Sequence, residues 1–430
     1  MRKIKNFDEL AKNDARRAAL EIAEAGLEAI DTRKVLHDTV KLNGNTLSVA
    51  SNDFSLEKIK RFLFVGVGKC TLDAAAALED ILGDKISSGV AVDVKTAENE
   101  FKKIKSFRGT HPLPTQANVE AAEAVVGILG NLTKDDLVLF VISGGGSTLL
   151  CLPEDMGCRE EASIIQAMIR AGAKIQEINT VRKHLSLARG GYLAKYAFPA
   201  QVVSLIFSDV PGDDIQFIAS GPTVMDTTTI EDAGEILARY NILNTCGMEK
   251  CGLIETPKED KYFENVHNVL TVSNSLALAA MKTKAEELGF AAMICTSCLK
   301  GEARDVGLAI TKELHAAGPK TALLYGGETT VTVRGRGRGG RNLELALSAM
   351  RDINEGELVM SVASDGIDNG PFAGAICDTM TKKAAVEAGL ALEDFLRDNN
   401  GYPLFEKIGN YLMTGDTGSN VSDLMIAVKT

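Results

Sequence analysis

Arg61-Phe-Leu-Phe-Val-Gly66-Val-Gly68-Lys69-Cys-Thr71 is an apolar run that breaks into glycine and then into an Ala-rich stretch through Leu82. The same grammar returns along the chain. Asp136-Leu-Val-Leu-Phe-Val-Ile142 runs into Ser143-Gly144-Gly145-Gly146-Ser147, and Gln201-Val-Val-Ser-Leu-Ile-Phe207 runs into Ser208-Asp209-Val-Pro-Gly. Thr321-Ala-Leu-Leu-Tyr325 leads to Gly-Gly-Glu328, and Glu357-Leu-Val-Met-Ser-Val-Ala363 leads to Ser-Asp365-Gly. Runs that are apolar on both faces and alternate with helical stretches predict a mainly parallel sheet covered on both sides. Such sheets bind ligands beyond the carboxyl ends of their strands, where all these glycine turns fall. The fold class is α/β.

The 430 residues suggest about three domains, or two large ones, at ~150 residues each. With 45% hydrophobic and 24% charged residues, the chain has the makings of a real core, which excludes a disordered, coiled-coil or collagenous protein. Lys and Arg number 47 against 58 Asp and Glu, a net charge of −11 that disfavours nucleic acid as a partner. No apolar run approaches the ~18–20 residues of a membrane-spanning helix, so no membrane partner is expected. The first residues read as an amphipathic helix and not as a signal peptide, so a cytoplasmic location with the eight cysteines reduced is expected. The turn-rich stretch 245–265 divides the chain into expected domains 1–245 and 246–430. A homodimer is left open.

An acidic protein with an anionic substrate needs local positive charge, and the glycine turns supply candidates. Gly66-Val-Gly68-Lys69 between a strand and a helix start makes an anion site from free N–H groups, the helix dipole and a lysine. It is no Walker loop, because Leu63 and Cys70 stand where glycine and a hydroxyl residue belong. As a dinucleotide fingerprint it lacks the third glycine, although Asp93 follows a second strand at the right distance. Ser143 to Ser147 lets backbone approach a ligand, with flanking hydroxyls to donate to phosphate. Arg182 and Lys183 either face an anion or form a solvated face. Asp209 and Asp213 are placed to act on a hydroxyl or hold magnesium, or else to cap a Pro-Gly turn. In the second half, Val333-Arg-Gly-Arg-Gly-Arg-Gly-Gly-Arg341-Asn342 reads as an ordered loop delivering Arg341 to a helix N-terminus. Ser364-Asp365-Gly-Ile-Asp-Asn-Gly and Thr414-Gly-Asp-Thr-Gly-Ser-Asn420 are further polar turns. His111, within Gly109-Thr-His-Pro-Leu-Pro, either touches substrate or packs, with packing preferred, and Cys295-Thr-Ser-Cys298 is assigned to a strand end with no second pair for zinc. Cations, backbone donors and a nearby carboxylate are what phosphoryl transfer needs.

Gly66-Val-Gly-Lys69, Gly109-Thr-His-Pro-Leu-Pro, Ser143-Gly-Gly-Gly-Ser147, Asn179-Thr-Val-Arg-Lys, Ser208-Asp209-Val-Pro-Gly-Asp213, Gly326-Gly-Glu-Thr-Thr, Gly337-Arg-Gly-Gly-Arg341-Asn-Leu-Glu and Thr414-Gly-Asp-Thr-Gly-Ser-Asn420, in this order over nearly the whole chain, resemble the glycerate 2-kinase family. The resemblance implies a Rossmann-like first domain and a smaller α/β second domain carrying the MOFRL region at about 320–425, with the site in the cleft between them. It implies ATP-dependent phosphorylation of D-glycerate at the 2-hydroxyl with Mg²⁺ or another divalent cation. The family's functional lysine, aspartate and glycine-loop arginine match Lys69, Asp209 and Arg341. Gly66, Gly68, Ser143, Gly144, Gly145, Gly146, Ser147, Arg182, Lys183, Glu328, Asn342, Asp365, Thr414 and Asn420 are then expected at substrate or nucleotide. Asp209, Asp213 and Glu328 are the metal candidates. Cys70-Thr71 after the lysine and Thr329 after Gly-Gly-Glu depart from the usual pattern without removing a charge. An NAD(P)H-dependent hydroxypyruvate reductase, drawing on Gly66-x-Gly68 and Asp93, is the alternative reading.

Overall fold

All five apolar runs are strands, and they belong to two different sheets. The computed structural model describes residues 2–430. Its chain falls into two units, one formed by Val35–Thr271 and the other by the residues up to Lys34 together with Val272–Thr430.

The Val35–Thr271 unit begins with an antiparallel meander of β1 (Val40–Asn43), β2 (Thr46–Val49) and β3 (Asn52–Ser55). Its main sheet then uses β4 (Arg61–Val67), β5 (Ser88–Asp93), β6 (Ile104–Arg108), β7 (Asp136–Ile142), β8 (Gln201–Phe207) and β9 (Val266–Val272). The spatial order is β6-β5-β4-β7-β8-β9, and the pairs from β6 through β8 are parallel. All seven residues of β7 are buried, as in a sheet covered on both faces. The order runs outward from β4 in one direction and from β7 in the other, so the crevice between them is the reversal point where such sheets take ligands. Helices Cys158–Arg170, Ile175–Lys183 and Ile230–Arg239 pack Ile164, Met168, Val181, Leu185 and Leu237 into a separate small core.

The expected cut at 245 lies inside this unit. The turn-rich stretch after it is tied down and does not act as a linker. The Ile254 amide donates to His184 O (2.8 Å), the Tyr192 hydroxyl to Glu255 O (2.9 Å), and Thr256 Oγ1 to the Asp226 carboxylate (3.2 Å).

The second unit holds β10 (Ala291–Leu299), β11 (Thr321–Gly327), β12 (Glu357–Ala363), β13 (Gly374–Asp378), β14 (Tyr411–Leu412) and β15 (Asp423–Lys429) in the order β10-β11-β15-β12-β13-β14. Only the β10–β11 pair is parallel; the others are antiparallel. The expectation that Thr321–Tyr325 and Glu357–Ala363 lie in a mainly parallel sheet is therefore corrected. Both are buried because helices cover the sheet, and burial on two faces does not report strand direction. Helix Arg341–Ala349 supplies Leu343 and Leu347 to a core with Met350, Val359, Leu404 and Phe405. The N-terminal helix Asp14–Ala29 packs against helix Asn274–Glu287, where a Cβ at Gly26 would stand 2.7 Å from Met281 Cγ.

Arg16, 1% exposed, pins that N-terminal helix to β13. Its Nε and Nη2 donate to the two Asp378 oxygens (both 2.7 Å), Nη1 to Asn410 Oδ1 (2.8 Å) and Nη2 also to Thr381 Oγ1 (2.8 Å). Burial opposes the Asp378 charge, yet the guanidinium holds its carboxyl below the ordinary 3.8. A carboxyl depressed in the fold adds stability above its unfolded pKa and loses it as pH falls through the folded value. Arg16→Ala leaves a buried uncompensated carboxylate and is expected to cost about 3–5 kcal/mol in urea unfolding at pH 7. The loss should shrink in an Asp378→Asn background. A loss under about 1 kcal/mol would show that the pair does not fasten the helix.

Candidate functional site

The site is built where β4 and β7 part. The Ser143 amide donates to Val67 O (2.9 Å) and the Lys69 amide to Gly144 O (3.0 Å), locking the two turns together, while the Gly68 amide donates to Val92 O of β5 (3.0 Å). Gly68 has φ +128°, and a Cβ there would stand 2.1 Å from Ser143 Oγ, so only glycine fits. Asp93 accepts from the Leu72 and Lys95 amides (3.2 and 3.1 Å), capping the helix Thr71–Leu82 that follows Lys69. Buried and engaged in this way, Asp93 is not presented to a ribose, which removes the residue on which the dinucleotide reading leaned.

Charge gathers on this scaffold. A Cβ on Gly144 would lie 2.1 Å from Asp209 Oδ2, so that carboxylate rests directly on the loop backbone just past β8. A Cβ on Gly145 would meet Lys69 Cγ at 3.3 Å, Lys69 Cε at 3.4 Å and His111 Cδ2 at 3.5 Å. The loop glycines thus make room for an acid on one side and a base on the other. Partial burial of the ring, then the charges of Lys69 and Arg182, pull the His111 imidazole from 6.5 down to about 4, although the residue as a whole is exposed. That places Arg182 in the same positive field. Burial brings its guanidinium down to about 10, with Arg189 pushing the same way and Glu161 opposing. Arg189 donates to Glu161 Oε1 (2.7 Å) and to Arg182 O (3.0 Å), holding the end of helix Ile175–Lys183.

Lys183 does not join them. Its ammonium bonds Asp226 Oδ1 at 3.0 Å with both side chains buried, so it braces the helical core and is corrected from ligand to structural ion pair. Ser143 and Ser147 flank the glycines as expected, and Ser147 Oγ lies 2.8 Å from Ser220 Oγ. Gly66 sits within β4, and Gly146 opens the short helix Gly146–Leu149. Asp213 occupies a tight turn whose amide donates to Val210 O (3.0 Å).

The second unit builds a cluster of another kind. Arg341 begins helix Arg341–Ala349, as expected, and faces carboxylates. Its Nε and Nη2 bond Asp423 (2.6 and 3.0 Å), and Nη1 bonds Glu328 Oε1 (2.5 Å). Of its five N–H groups two remain, one on each terminal nitrogen. Burial lifts the Asp423 carboxyl above the ordinary range while the guanidinium opposes it. Asp368 caps the helix through the Asn342 and Leu343 amides (3.1 and 2.8 Å). Asn342 is fully buried, accepting from Ser361 Oγ (2.5 Å), and is corrected from ligand to core. Asp365 accepts from the Ile367 amide (3.0 Å), Asn420 from the Ser422 amide (3.0 Å), and Thr414 Oγ1 donates to Gly415 O (2.6 Å). These three side chains fasten their own turns, and Gly366 lets the two turns touch, since its Cβ would lie 1.9 Å from Gly415 O.

Sequence reasoning missed Asp423, Asp368, Ser220 and the electrostatic place of His111. Asp423 had no local signal, because its partner lies 82 residues away. Among the described residues no group of three His, Cys, Asp or Glu is arranged to hold a metal, and no helix is long and apolar enough to cross a membrane. His111 is expected to titrate well below 6.5 by proton NMR, and to move upward in Lys69→Met. An ordinary value unaffected by that change would remove Lys69 from its surroundings.

A family model described as a domain of unknown function, DUF4147, matches residues 18–249, and the MOFRL family model matches residues 321–423. A glycerate 2-kinase of Pyrococcus horikoshii is 39% identical over 438 residues, covering 97% of this chain and 98% of the relative. A crystal structure of glycerate kinase from Thermotoga maritima matches with a TM-score of 0.84 at 36% identity, covering 96% of this chain and 99% of that one. A putative hydroxypyruvate reductase of Agrobacterium vitis is 37% identical over 381 residues, covering 85% of this chain and 86% of the relative. By sequence and by fold, this chain belongs to the glycerate 2-kinase family.

Proposed function

We propose that the protein transfers the γ-phosphoryl group of ATP to the 2-hydroxyl of D-glycerate, giving 2-phospho-D-glycerate and ADP. The observation that carries this reading is the placement of Lys69 and Asp209 against one glycine-rich double turn at the sheet's reversal point, with the charge of Arg182 reaching His111 beside it. An anionic acid substrate needs the cations, and an alcohol acceptor needs the carboxylate.

In the transfer, the 2-hydroxyl oxygen forms a bond to the γ-phosphorus as the bond from that phosphorus to the β,γ-bridging oxygen breaks. Asp209 orients the hydroxyl and takes its proton, and ADP leaves with the bridging electron pair. Lys69 neutralises charge on the phosphoryl oxygens, where a fixed cation in a low-dielectric site is worth several kcal/mol. Arg182 holds the glycerate carboxylate. The backbone of Ser143 to Ser147 approaches the phosphates, and Arg341 offers its two remaining N–H groups to phosphate oxygens. Mg²⁺ suits this donor set, because it accepts one or two carboxylates and takes its other ligands from phosphates and water. Asp209, Asp213 and Glu328, the last bonded also to Arg341, are the candidate ligands. The ion when bound would offset charge on the transferring oxygens.

The name carried by the Agrobacterium vitis relative keeps a reductase in view, and one assay separates the two readings. Purified protein with D-glycerate, ATP and Mg²⁺ should give 2-phosphoglycerate by phosphorus NMR, while NADH with hydroxypyruvate should remain unchanged. NADH consumption without a phosphorylated product would reverse the assignment. Lys69→Ala and Arg341→Ala are each expected to lower kcat by about two orders of magnitude or more. Full turnover in either variant would remove that residue from the transfer. Asp209→Asn should lower kcat by ~10²–10⁴ with KM for ATP little changed.

A further inference from the structure

Beside the glycine loop, a three-membered chain of side chains carries a fixed direction. Ser147 Oγ lies 2.8 Å from Ser220 Oγ, and Ser220 Oγ lies 2.8 Å from Asn179 Oδ1. The Asn179 amide nitrogen faces Gln216 O at 3.4 Å. A backbone carbonyl only accepts, so the amide must turn its NH₂ toward Gln216 and its oxygen toward Ser220. That oxygen also only accepts, so Ser220 must donate to it. A serine hydroxyl has a single proton. Ser220 therefore has none left for Ser147, and in the remaining bond Ser147 is the donor and Ser220 the acceptor.

The members are held firmly. Ser220 is fully buried and Asn179 nearly so, whereas Ser147 is partly open to solvent. Ala219 and Ser220 both have positive φ (51° and 61°), a conformation that costs side-chain-bearing residues some strain. This strained pair presses on the glycine loop, where a Cβ on Gly146 would meet Ala219 Cβ at 2.6 Å.

We infer that Ser147 selects for a ligand hydroxyl: its proton is committed inward, so its Oγ offers lone pairs to the site and accepts from a donor. Ser220 and Asn179 are positioning residues that set this polarity. The inference rests on the kinase reading for the identity of the ligands. It also reverses the expectation that the Ser147 hydroxyl donates to phosphate, since that proton is engaged with Ser220. A hydroxyl donor is available from either substrate, from the 2- or 3-hydroxyl of the acid or from the ribose of the nucleotide. A site built to bond a hydroxyl rejects the analogue that lacks it, because its own acceptor is then left without a partner.

Calorimetric binding to wild-type protein, Ser147→Ala, Ser147→Thr and Ser220→Ala tests this with D-glycerate, 3-hydroxypropionate, D-lactate, ATP and 2′,3′-dideoxy-ATP. In the wild type, one deletion analogue should bind about tenfold or more weaker than its parent. Ser147→Ala should erase that difference and leave the other ratios alone. Ser147→Thr, which keeps the Oγ, should restore it, and Ser220→Ala, which frees the Ser147 proton, should shrink it. The analogue concerned identifies the hydroxyl. Ratios unchanged in Ser147→Ala overturn the inference, as does an equal loss for parent and analogue, the mark of a merely structural serine. Transfer is scored separately: wild-type protein that binds these ligands but forms no 2-phosphoglycerate overturns the kinase reading and leaves the binding ratios to decide this one.

Discussion

The close approach of two backbone turns at the point where the sheet's order reverses is the constraint on which the site depends. Gly68 and Gly144 are packed so tightly that a methyl group on either would collide, with Ser143 in one case and with Asp209 in the other. Because the turns share backbone hydrogen bonds, the position of Lys69 follows from the register between β4 and β7. A cation and a carboxylate are thereby carried by strand ends and not by long loops, which is how a scaffold holds reacting groups to a fraction of an ångström.

The chain handles its charge in two distinct ways. Arg16 with Asp378, Lys183 with Asp226 and Arg189 with Glu161 are buried pairs in which each group meets its opposite at 2.7 to 3.0 Å. They fasten helices, and removing one partner leaves the other stranded. Around the glycine loop the pattern differs: burial, and then the charges of Lys69 and Arg182, depress a histidine. Gathering cations in one place costs stability, and it is intelligible where an anion is to be bound. Arg341 stands between these patterns, tied to two carboxylates but with donors to spare.

Much of this was legible from residue order. The apolar runs with glycine at their ends located five strands, and the position of the turns singled out Lys69, Asp209 and the Ser143 to Ser147 loop. Strand direction in the second sheet was not legible, because β15 inserts between β11 and β12 from the far end of the chain. Nor was the difference between Arg182 and Lys183. Adjacent residues on a helix point about 100° apart, and only the fold shows that Lys183 is the one buried against Asp226 while Arg182 stays partly exposed. The reach of the first unit past residue 245 rests on the edge strand β9 and on the bonds that tie down residues 254–256, a stretch with no strand or helix signal.

A structure of the protein crystallised with D-glycerate and a non-hydrolysable ATP analogue would show whether the double turn seats the reacting groups. An anionic group of the ligands is expected within hydrogen-bond distance of Lys69 Nζ, with the acid's 2-hydroxyl beside Asp209 and the Ser143 to Ser147 backbone around them. Ligands seated elsewhere, with Lys69 and Asp209 left to solvent, would contradict that placement.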